Sequence, residues 1–278
     1  MTGPTISRLL LGKELRELRE AAKISREQAA AALKCSKARI DHIEVGRNAL
    51  GYAELVMLLG KQYYNADKAK LDELEVLRER ASQRAWWSTA GLSNWLARYV
   101  GLEADAVSVR TFELDLIPGL LQTEDYARAC YSLDDRWLAK DVERRVWARA
   151  RRQERLTDSD PLQLTAVVSE TALVRCARHG LTEQLTALVE RATLPNIELR
   201  VLPFDVGLHV AMAASFSLLN FPDQLLNDVA YQEYAVGGDV VEDESVVSQL
   251  DRLFGKLRDQ ALGPDESLNK ITELANTQ

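Results

Sequence analysis

The residues with the clearest chemical potential lie between positions 25 and 50 of this 278-residue chain. The stretch Ser36-Lys37-Ala38-Arg39 places two cations and one small apolar residue within a single turn of a predicted helix. Lysine and arginine can donate hydrogen bonds to guanine O6 and N7, and alanine can contact a thymine methyl group. These residue types at the start of a helix indicate contact with base edges in the major groove.

Short predicted helices must position these side chains. Apolar spacing predicts a first helix at 6–22 and a fourth at 51–60. Ser25 and Gln28 match a capping box at the start of the second helix. Ser36 is a candidate N-cap for the third helix, and Gly46 a candidate end. Two short helices joined by a tight turn at Lys34-Cys35 predict a helix-turn-helix.

Residues 25–50 resemble the lambda-repressor-like (XRE) family of regulators. The matching positions are Gln28, Ala30, Ile40, Ile43, Glu44 and Gly46. The resemblance implies that Glu44 pairs with a helix-1 arginine such as Arg19. Asp41 departs from the serine often found at its position, and it could either accept from cytosine N4 or repel phosphate. The expected DNA contacts, combining this resemblance with the chemistry above, are Arg26, Gln28, Ser36, Lys37, Ala38, Arg39, Asp41, His42, Arg47 and Asn48.

The distribution of charge gives mild support to this interpretation. The net charge is -7, but residues 1–50 carry ten Lys/Arg and six Asp/Glu, a balance of +4 that leaves -11 for the remainder. A small basic unit joined to a larger acidic one is typical of a DNA-contacting module attached to a module of another kind.

Several other classes of protein are disfavoured by the sequence. No apolar run is long enough to span a membrane, and the N-terminus lacks the features of a signal peptide. Three widely spaced cysteines predict a reduced, cytoplasmic protein without disulfides. No catalytic motif was found, so we expect neither an enzyme nor a cofactor. Cys176 and His179 are too few ligands for a metal site, and we expect none.

The remainder of the chain predicts a mixed architecture. Strands are predicted at 107–114, 162–168, 197–202, 215–221 and 229–234, with helices between them and a last helix at 244–262. The predicted fold class is α+β: an N-terminal all-α helix-turn-helix bundle and a C-terminal mixed α+β domain with a small sheet. The expected domains are 1–66, a helical linker or dimerisation segment at 67–100, and a sensor or partner-binding domain at 101–278. The helix at 67–84 is compatible with a linker, a fifth helix of the first domain, or a dimer seam.

This second part resembles a domain common in actinobacterial regulators of the WhiJ-like type, catalogued as being of unknown function. The segments that carry the likeness include 110–113, 117–128, 144–153, 200–204 and 216–221. The resemblance implies a developmental or antibiotic-related regulator. It also implies a possible small partner protein, in an arrangement likened to antitoxin–toxin pairs.

Candidate ligand or partner residues in this part are few. Trp86, Trp87 and Trp95 can form an aromatic pocket or a docking patch, although they can equally attach the linker helix to the following core. His209 can line a pocket or only satisfy local hydrogen bonds. The arginine-rich stretch 144–155 fits a solvated amphipathic helix better than a partner-binding one.

These observations favour a sequence-specific transcription regulator that binds double-stranded DNA as a homodimer on a near-palindromic operator. Its C-terminal domain would dimerise and receive a signal from a small molecule or a partner protein. The alternative is an antitoxin-like interaction protein that sequesters a small partner and regulates its own operon. An enzyme addressed to DNA is the weakest hypothesis, and a membrane partner is not expected.

Overall fold

The computed structural model describes residues 3–222 and 226–276, and it divides the chain into two compact units at Thr89 and Ala90. The first unit is entirely helical, and the second combines helices with a six-stranded sheet. The α+β fold class predicted from the sequence is therefore confirmed.

Five helices build the first unit. They are α1 (Pro4–Ala21), α2 (Arg26–Ala32), α3 (Lys37–Glu44), α4 (Tyr52–Leu59) and α5 (Lys68–Ser82). The small residues of α2 and the branched residues of α3 bury one face in a common core with α1 and α4. The members of this core that the sequence predicted are Leu11, Leu15, Ala29, Ala32, Ile40, Ile43, Leu55, Leu58 and Leu59.

Two glycines allow the close packing of α1 and α3. A Cβ on Gly12 would lie 2.5 Å from the carbonyl oxygen of Ile43, so only glycine lets the two backbones approach this closely. Gly46 has φ +68°, the left-handed conformation that ends many helices. The Arg47 amide then donates to the carbonyl of His42 at 2.7 Å, which completes the predicted C-terminal cap of α3.

Helix α5 belongs to the first unit, one of the three alternatives that the sequence left open. It packs along α1 and buries Leu74 and Ala81. Arg8 of α1 also donates to the Ala81 carbonyl at 2.8 Å.

The second unit alternates helices and strands. Its strands are β1 (Ser108–Glu113), β2 (Gln163–Ser169), β3 (Ile197–Leu202), β4 (Phe216–Asn220), β5 (Val229–Tyr234) and β6 (Gly237–Val241). Its helices are α6 (Asn94–Asp105), α7 (Glu124–Ser132), α8 (Ala139–Gln153), α9 (Glu170–Arg178), α10 (Thr182–Arg191), α11 (Glu244–Gln260) and α12 (Pro264–Asn276). The strand order is β3-β2-β1-β4-β5-β6, parallel from β1 to β3 and antiparallel from β1 through β4 and β5 to β6.

The two faces of this sheet differ. On one face Phe112 and Phe216 pack into an apolar core with Phe254 and Leu257 of α11. The opposite face carries Val109 and Thr111 of β1, because successive strand residues point to opposite sides. This second face forms the floor of the cavity described below.

The observed elements of this unit differ in part from those predicted from the sequence. Strand β6 and helix α12 were missed, and helix 244–262 is not the last one. The pair Gly263-Pro264 resembles a terminator, but proline is also favoured in the first turn of a helix, where its missing amide hydrogen costs nothing. Helix α12 packs on β3, and the hydroxyl of Ser267 accepts from the Val201 amide at 2.9 Å.

Candidate nucleic-acid interface and second-unit cavity

The first turn of α3 is held open to solvent. The Ser36 hydroxyl accepts from the Arg39 amide at 3.3 Å, so Ser36 is the N-cap that the sequence predicted. Ser36, Lys37, Ala38 and His42 are exposed, while Ile40 and Ile43 on the opposite side are buried. The helix therefore presents a small polar and cationic surface that no apolar side chain covers.

Three of the cations predicted to contact DNA, Arg26, Lys37 and Arg39, form ion pairs with carboxylates of the same unit. Lys37 lies 2.6 Å from Glu27, and this hydrogen bond lowers the pKa of Glu27 to about 2. Arg39 lies 2.6 Å from Glu54 of α4, and their hydrogen bond raises the pKa of the arginine.

Arg26 at the start of α2 joins two carboxylates of α3. It lies 3.0 Å from Asp41 and 3.3 Å from Glu44. The sequence left two roles open for Asp41, a base contact or repulsion of phosphate. In this structure the Asp41 carboxylate pairs with Arg26. The pairing lowers the local negative charge that the aspartate would otherwise present.

Beneath this surface lies the Arg19–Glu44 pair that the resemblance implied. Arg19 donates through Nε at 2.5 Å and through Nη2 at 3.0 Å to the two oxygens of Glu44. Both side chains are buried, with 7% and 3% of their surface exposed. A bidentate pair in this position fixes the end of α3 to α1 with both distance and angle defined.

The remaining predicted DNA contacts flank α3. Gln28 is exposed, and its Oε1 accepts from the Ser25 amide at 2.7 Å, which confirms the capping box. Arg47 is exposed and Asn48 half-buried in the turn after Gly46. All ten predicted contact residues thus come from α2, α3 and the turns next to them.

The predicted ligand residues are not brought together. Trp86 and Trp87 pack edge to face in the first unit, with ring centroids 5.7 Å apart. Trp95 lies on α6 in the second unit, near Gly238. His209 packs edge to face on Phe112, on the face of the sheet that α11 covers, and its Nδ1 accepts from the Ala211 amide at 3.3 Å. None of these four residues lines the cavity of the second unit.

That cavity, of about 430 Å³, lies over the other face of the sheet. The strand register places its floor in rows: Val109 pairs with Leu219, and the next row joins Thr111 to Ser217 and Ser217 to Tyr231. One step further along the same face lie Glu113, Ser215 and Glu233, which also line the cavity. The floor therefore changes from apolar to hydroxyl-bearing to acidic along the strands.

The walls are aromatic and basic. Tyr99 of α6 stacks on Tyr231 with centroids 4.0 Å apart, and its hydroxyl donates to Glu103 at 2.8 Å. Arg152 of α8 forms two 2.7 Å hydrogen bonds with Glu103, and both side chains are buried. The neutralised Arg152–Glu103 pair fixes α8 to α6 at the edge of the cavity.

Three charged groups of the cavity have no ion-pair partner among residues 3–222 and 226–276. They are Glu113, Glu233 and Arg149. Arg149 donates to Gln122 at 2.9 Å and to Tyr131, while its Nε is buried without a hydrogen-bond partner. Glu233 accepts from Tyr231 at 3.1 Å. Burial raises the pKa of Glu113 to about 7. Glu233 raises this pKa further, whereas Ser215, Arg149 and Arg152 lower it.

This site was not predicted from the sequence. The arginines of 144–155 were expected to be solvated, whereas Arg152 is buried and Arg149 reaches the cavity. The available signal was the alternation of Val109, Thr111 and Glu113 on one face of a strand, which places a carboxylate on an otherwise covered surface. An unpaired carboxylate in such a position is unusual and marks a candidate site.

Metal-binding clusters and membrane-spanning helices are both absent from the described part of the chain. In residues 3–222 and 226–276, no three His, Cys, Asp or Glu side chains are grouped so that they could hold a metal ion. Cys176 is buried and its thiol contacts the Leu181 carbonyl at 3.1 Å. Within the same residues, no helix has the length and apolar character needed to cross a membrane.

Comparison with known proteins assigns a family model to each part of the chain. Residues 10–74 match a helix-turn-helix domain, and residues 96–273 match a domain of unknown function, DUF5753. No curated protein and no solved structure matches the chain. The helix-turn-helix match supports a DNA-binding regulator, in agreement with the exposed first turn of α3.

Proposed function

The chain belongs to the DUF5753 family, with a helix-turn-helix domain in front of the family domain, and from this premise we propose that it is a sequence-specific transcription regulator. One observation carries the proposal: the first turn of α3 exposes Lys37 and Ala38 beside the partly exposed Arg39. Helix-turn-helix proteins read bases with the N-terminal residues of their second helix.

In this proposal α3 enters the major groove. Lys37 and Arg39 exchange their carboxylate partners for guanine O6 and N7, while Ala38 contacts a thymine methyl group. Arg26, Gln28, Arg47 and Asn48 contact phosphates or sugar at the edges of the groove. Ser36 keeps the helix start in place, and Asp41 and His42 lie beside the readout turn.

The chain acts as a homodimer in this proposal. Two copies read half-sites about 34 Å apart, one helical turn of DNA, so that the operator is near-palindromic. In this proposal the second unit carries dimerisation and senses a signal, and its cavity with unpaired charges supports the sensing role. The resemblance to WhiJ-like regulators and the reduced cysteines favour a cytoplasmic regulator of this type.

The experiment that tests the proposal recovers genomic fragments bound by the purified full-length protein. We expect an enriched near-palindromic sequence whose enrichment is lost in Lys37→Ala and Arg39→Ala. Lys13→Ala serves as the matched control, because Lys13 is an exposed lysine of α1 outside the helix-turn-helix. Absence of any enriched sequence, or equal enrichment with all three variants, would contradict the proposed role of α3.

An antitoxin-like interaction protein is the second candidate function, and one observation favours it. The segment between β3 and β4 exposes four apolar side chains, Phe204, Leu208, Val210 and Met212, with Leu208 85% exposed. Clustered exposed apolar residues mark interaction sites. The measurement is co-purification of a small chain with wild-type protein but not with Leu208→Asp. Retention of the same chain by Leu208→Asp would argue against this segment.

A further inference from the structure

The unpaired charges of the second-unit cavity define the chemistry of a ligand. Glu113 of β1 and Glu233 of β5 both line the cavity, on either side of strand β4, and neither has an ion-pair partner among the described residues. Burial penalises the charged form of Glu113, whereas Glu233 is exposed to solvent. A ligand cation placed between the two carboxylates would remove that penalty.

The aromatic walls suit the same kind of ligand. Tyr131, Tyr231 and Tyr234 all line the cavity. Tyrosine rings attract cations over their faces and pack against flat rings. Among the described residues that line the cavity, Arg149 Nε is a buried donor without a hydrogen-bond partner.

We propose that this cavity binds a small aromatic amine, with its ammonium group between Glu113 and Glu233 and its ring among the cavity tyrosines. The proposal rests on the sensing role given above to the second unit, and it names the site and the ligand class. Arg149 then donates to an oxygen on the ring of the ligand. A purely anionic ligand is disfavoured because two carboxylates face the cavity and Arg152 is neutralised by Glu103.

The charge of Glu113 makes binding dependent on pH. Burial raises the pKa of Glu113 to about 7, so this carboxyl changes its protonation state near neutral pH. A bound ammonium favours the ionised form, and binding therefore releases a proton. The charged and titratable groups that face Glu113 from the surrounding elements are Glu233, Asp115, Arg149, Arg152, Tyr99, Tyr131, Tyr231, Tyr234 and Cys130. The arginines keep their charge at all relevant pH values.

A matched set of four probes tests the ligand class by isothermal titration of the full-length protein without DNA. The probes share one ring and differ in charge: tyramine, L-tyrosine, 3-(4-hydroxyphenyl)propanoate and 4-ethylphenol. We expect tyramine to bind more tightly than the propanoate and the neutral phenol. L-tyrosine should bind more weakly than tyramine, because its carboxylate would lie beside its ammonium group and face Glu113 and Glu233; tighter binding of L-tyrosine would overturn this placement. Tightest binding of the propanoate, equal binding of 4-ethylphenol, or no binding of any probe would overturn the proposal.

Two variants assign the binding to these carboxylates. Glu113→Gln and Glu233→Gln should each weaken tyramine binding by about tenfold, the loss typical of one charged hydrogen bond. Glu190→Gln, at an exposed glutamate of α10 that does not line the cavity, is the control and should bind as the wild type does. Unchanged binding in both cavity variants, with melting curves like that of the control, would overturn the placement.

The pH profile separates this site from a nonspecific one. Between pH 6 and pH 8 the wild-type affinity for tyramine should rise by about tenfold as Glu113 ionises, and Glu113→Gln should lose that rise. A rise retained in Glu113→Gln would overturn the role of this residue. Because DNA is absent from these measurements, their failure leaves operator recognition intact, and failure of operator recognition leaves them unaffected.

Discussion

The helix-turn-helix surface and the second-unit cavity handle charge in opposite ways. On the surface of the first unit, Lys37, Arg39 and Arg26 each have a carboxylate partner at 2.6–3.0 Å. In the cavity, Glu113 and Glu233 have none among the described residues. A ligand of the first-unit surface must therefore displace carboxylate partners, whereas a ligand of the cavity must supply a cation.

The two regions differ in this way because their charged groups differ in solvent exposure. Exposed ion pairs contribute only about 0–1 kcal/mol, so that a cation can leave its carboxylate for a phosphate or a base at little cost. In the cavity, burial penalises the charged form of Glu113, and protonation or a bound cation relieves that penalty. The cations of the surface can therefore exchange one partner for another, whereas the carboxylates of the cavity have no ion-pair partner among the described residues.

Each unit also contains one buried bidentate Arg–Glu pair, and these pairs should give the largest effects. Glu44→Ala in the first unit and Glu103→Gln in the second should each destabilise the protein by about 3–5 kcal/mol, because an arginine is left buried without its partner. Chemical denaturation checks both values. Glu73→Ala, which removes an exposed partner of Lys70, is the control and should cost about 1 kcal/mol or less. If either variant loses as little stability as the control does, the pair in that unit is not buried in solution.

The next largest effect concerns base recognition. Lys37→Ala and Arg39→Ala should each weaken operator binding by about 1–3 kcal/mol and relax the preference at one base position. Equilibrium binding to operator variants measures both quantities.

Glu54→Gln is the matched test for Arg39, because Glu54 is its ion-pair partner on α4. If Arg39 contacts a base, the Glu54 variant should bind the operator at least as well as the wild type. If Arg39 only ties α3 to α4, both variants should lose affinity to the same degree, which would contradict a base contact.

Much of the first unit could be predicted because its structure is local. The capping box of Ser25 and Gln28, the Ser36 cap and the Gly46 exit depend on residues three or four positions apart. Even the distant Arg19–Glu44 pair followed from a family pattern. The cavity could not be predicted in this way, since Glu113, Arg149 and Glu233 come from separate elements that only the strand order brings together.

A moderate effect is expected from the pH dependence of stability. The pKa of Glu113 is about 7 in the folded protein, above its ordinary value of about 4.3 in an unfolded chain. The folded state therefore binds more protons in this window, and stability falls as the pH rises from about 4.3 through 7. Glu113→Gln removes this loss and should be stabilised relative to the wild type by on the order of 1 kcal/mol at pH 8, with no such gain below pH 4.3.

Denaturation at pH 4, pH 6 and pH 8 measures the difference between Glu113→Gln and the wild type. Glu190→Gln is the control, because its glutamate is exposed and lies outside the cavity. A difference that stays constant across the three pH values would contradict an elevated pKa of Glu113 and would remove one support for the contrast between the two regions.

The smallest effect should come from the surface pair of Lys37 and Glu27. Glu27→Gln removes a carboxylate that pairs with Lys37, and it should hardly change stability because the pair is exposed. Operator affinity should increase modestly at low salt, because Lys37 is released and a negative charge near the DNA is lost. The gain should diminish at higher salt, where exposed charges are screened. Glu17→Gln, at an exposed glutamate of α1, removes the same charge outside the helix-turn-helix and provides the comparison. An equal gain in both variants would mean that only the net charge matters and that Glu27 does not compete with DNA for Lys37. A gain confined to Glu27→Gln would show that the surface ion pairs compete with DNA.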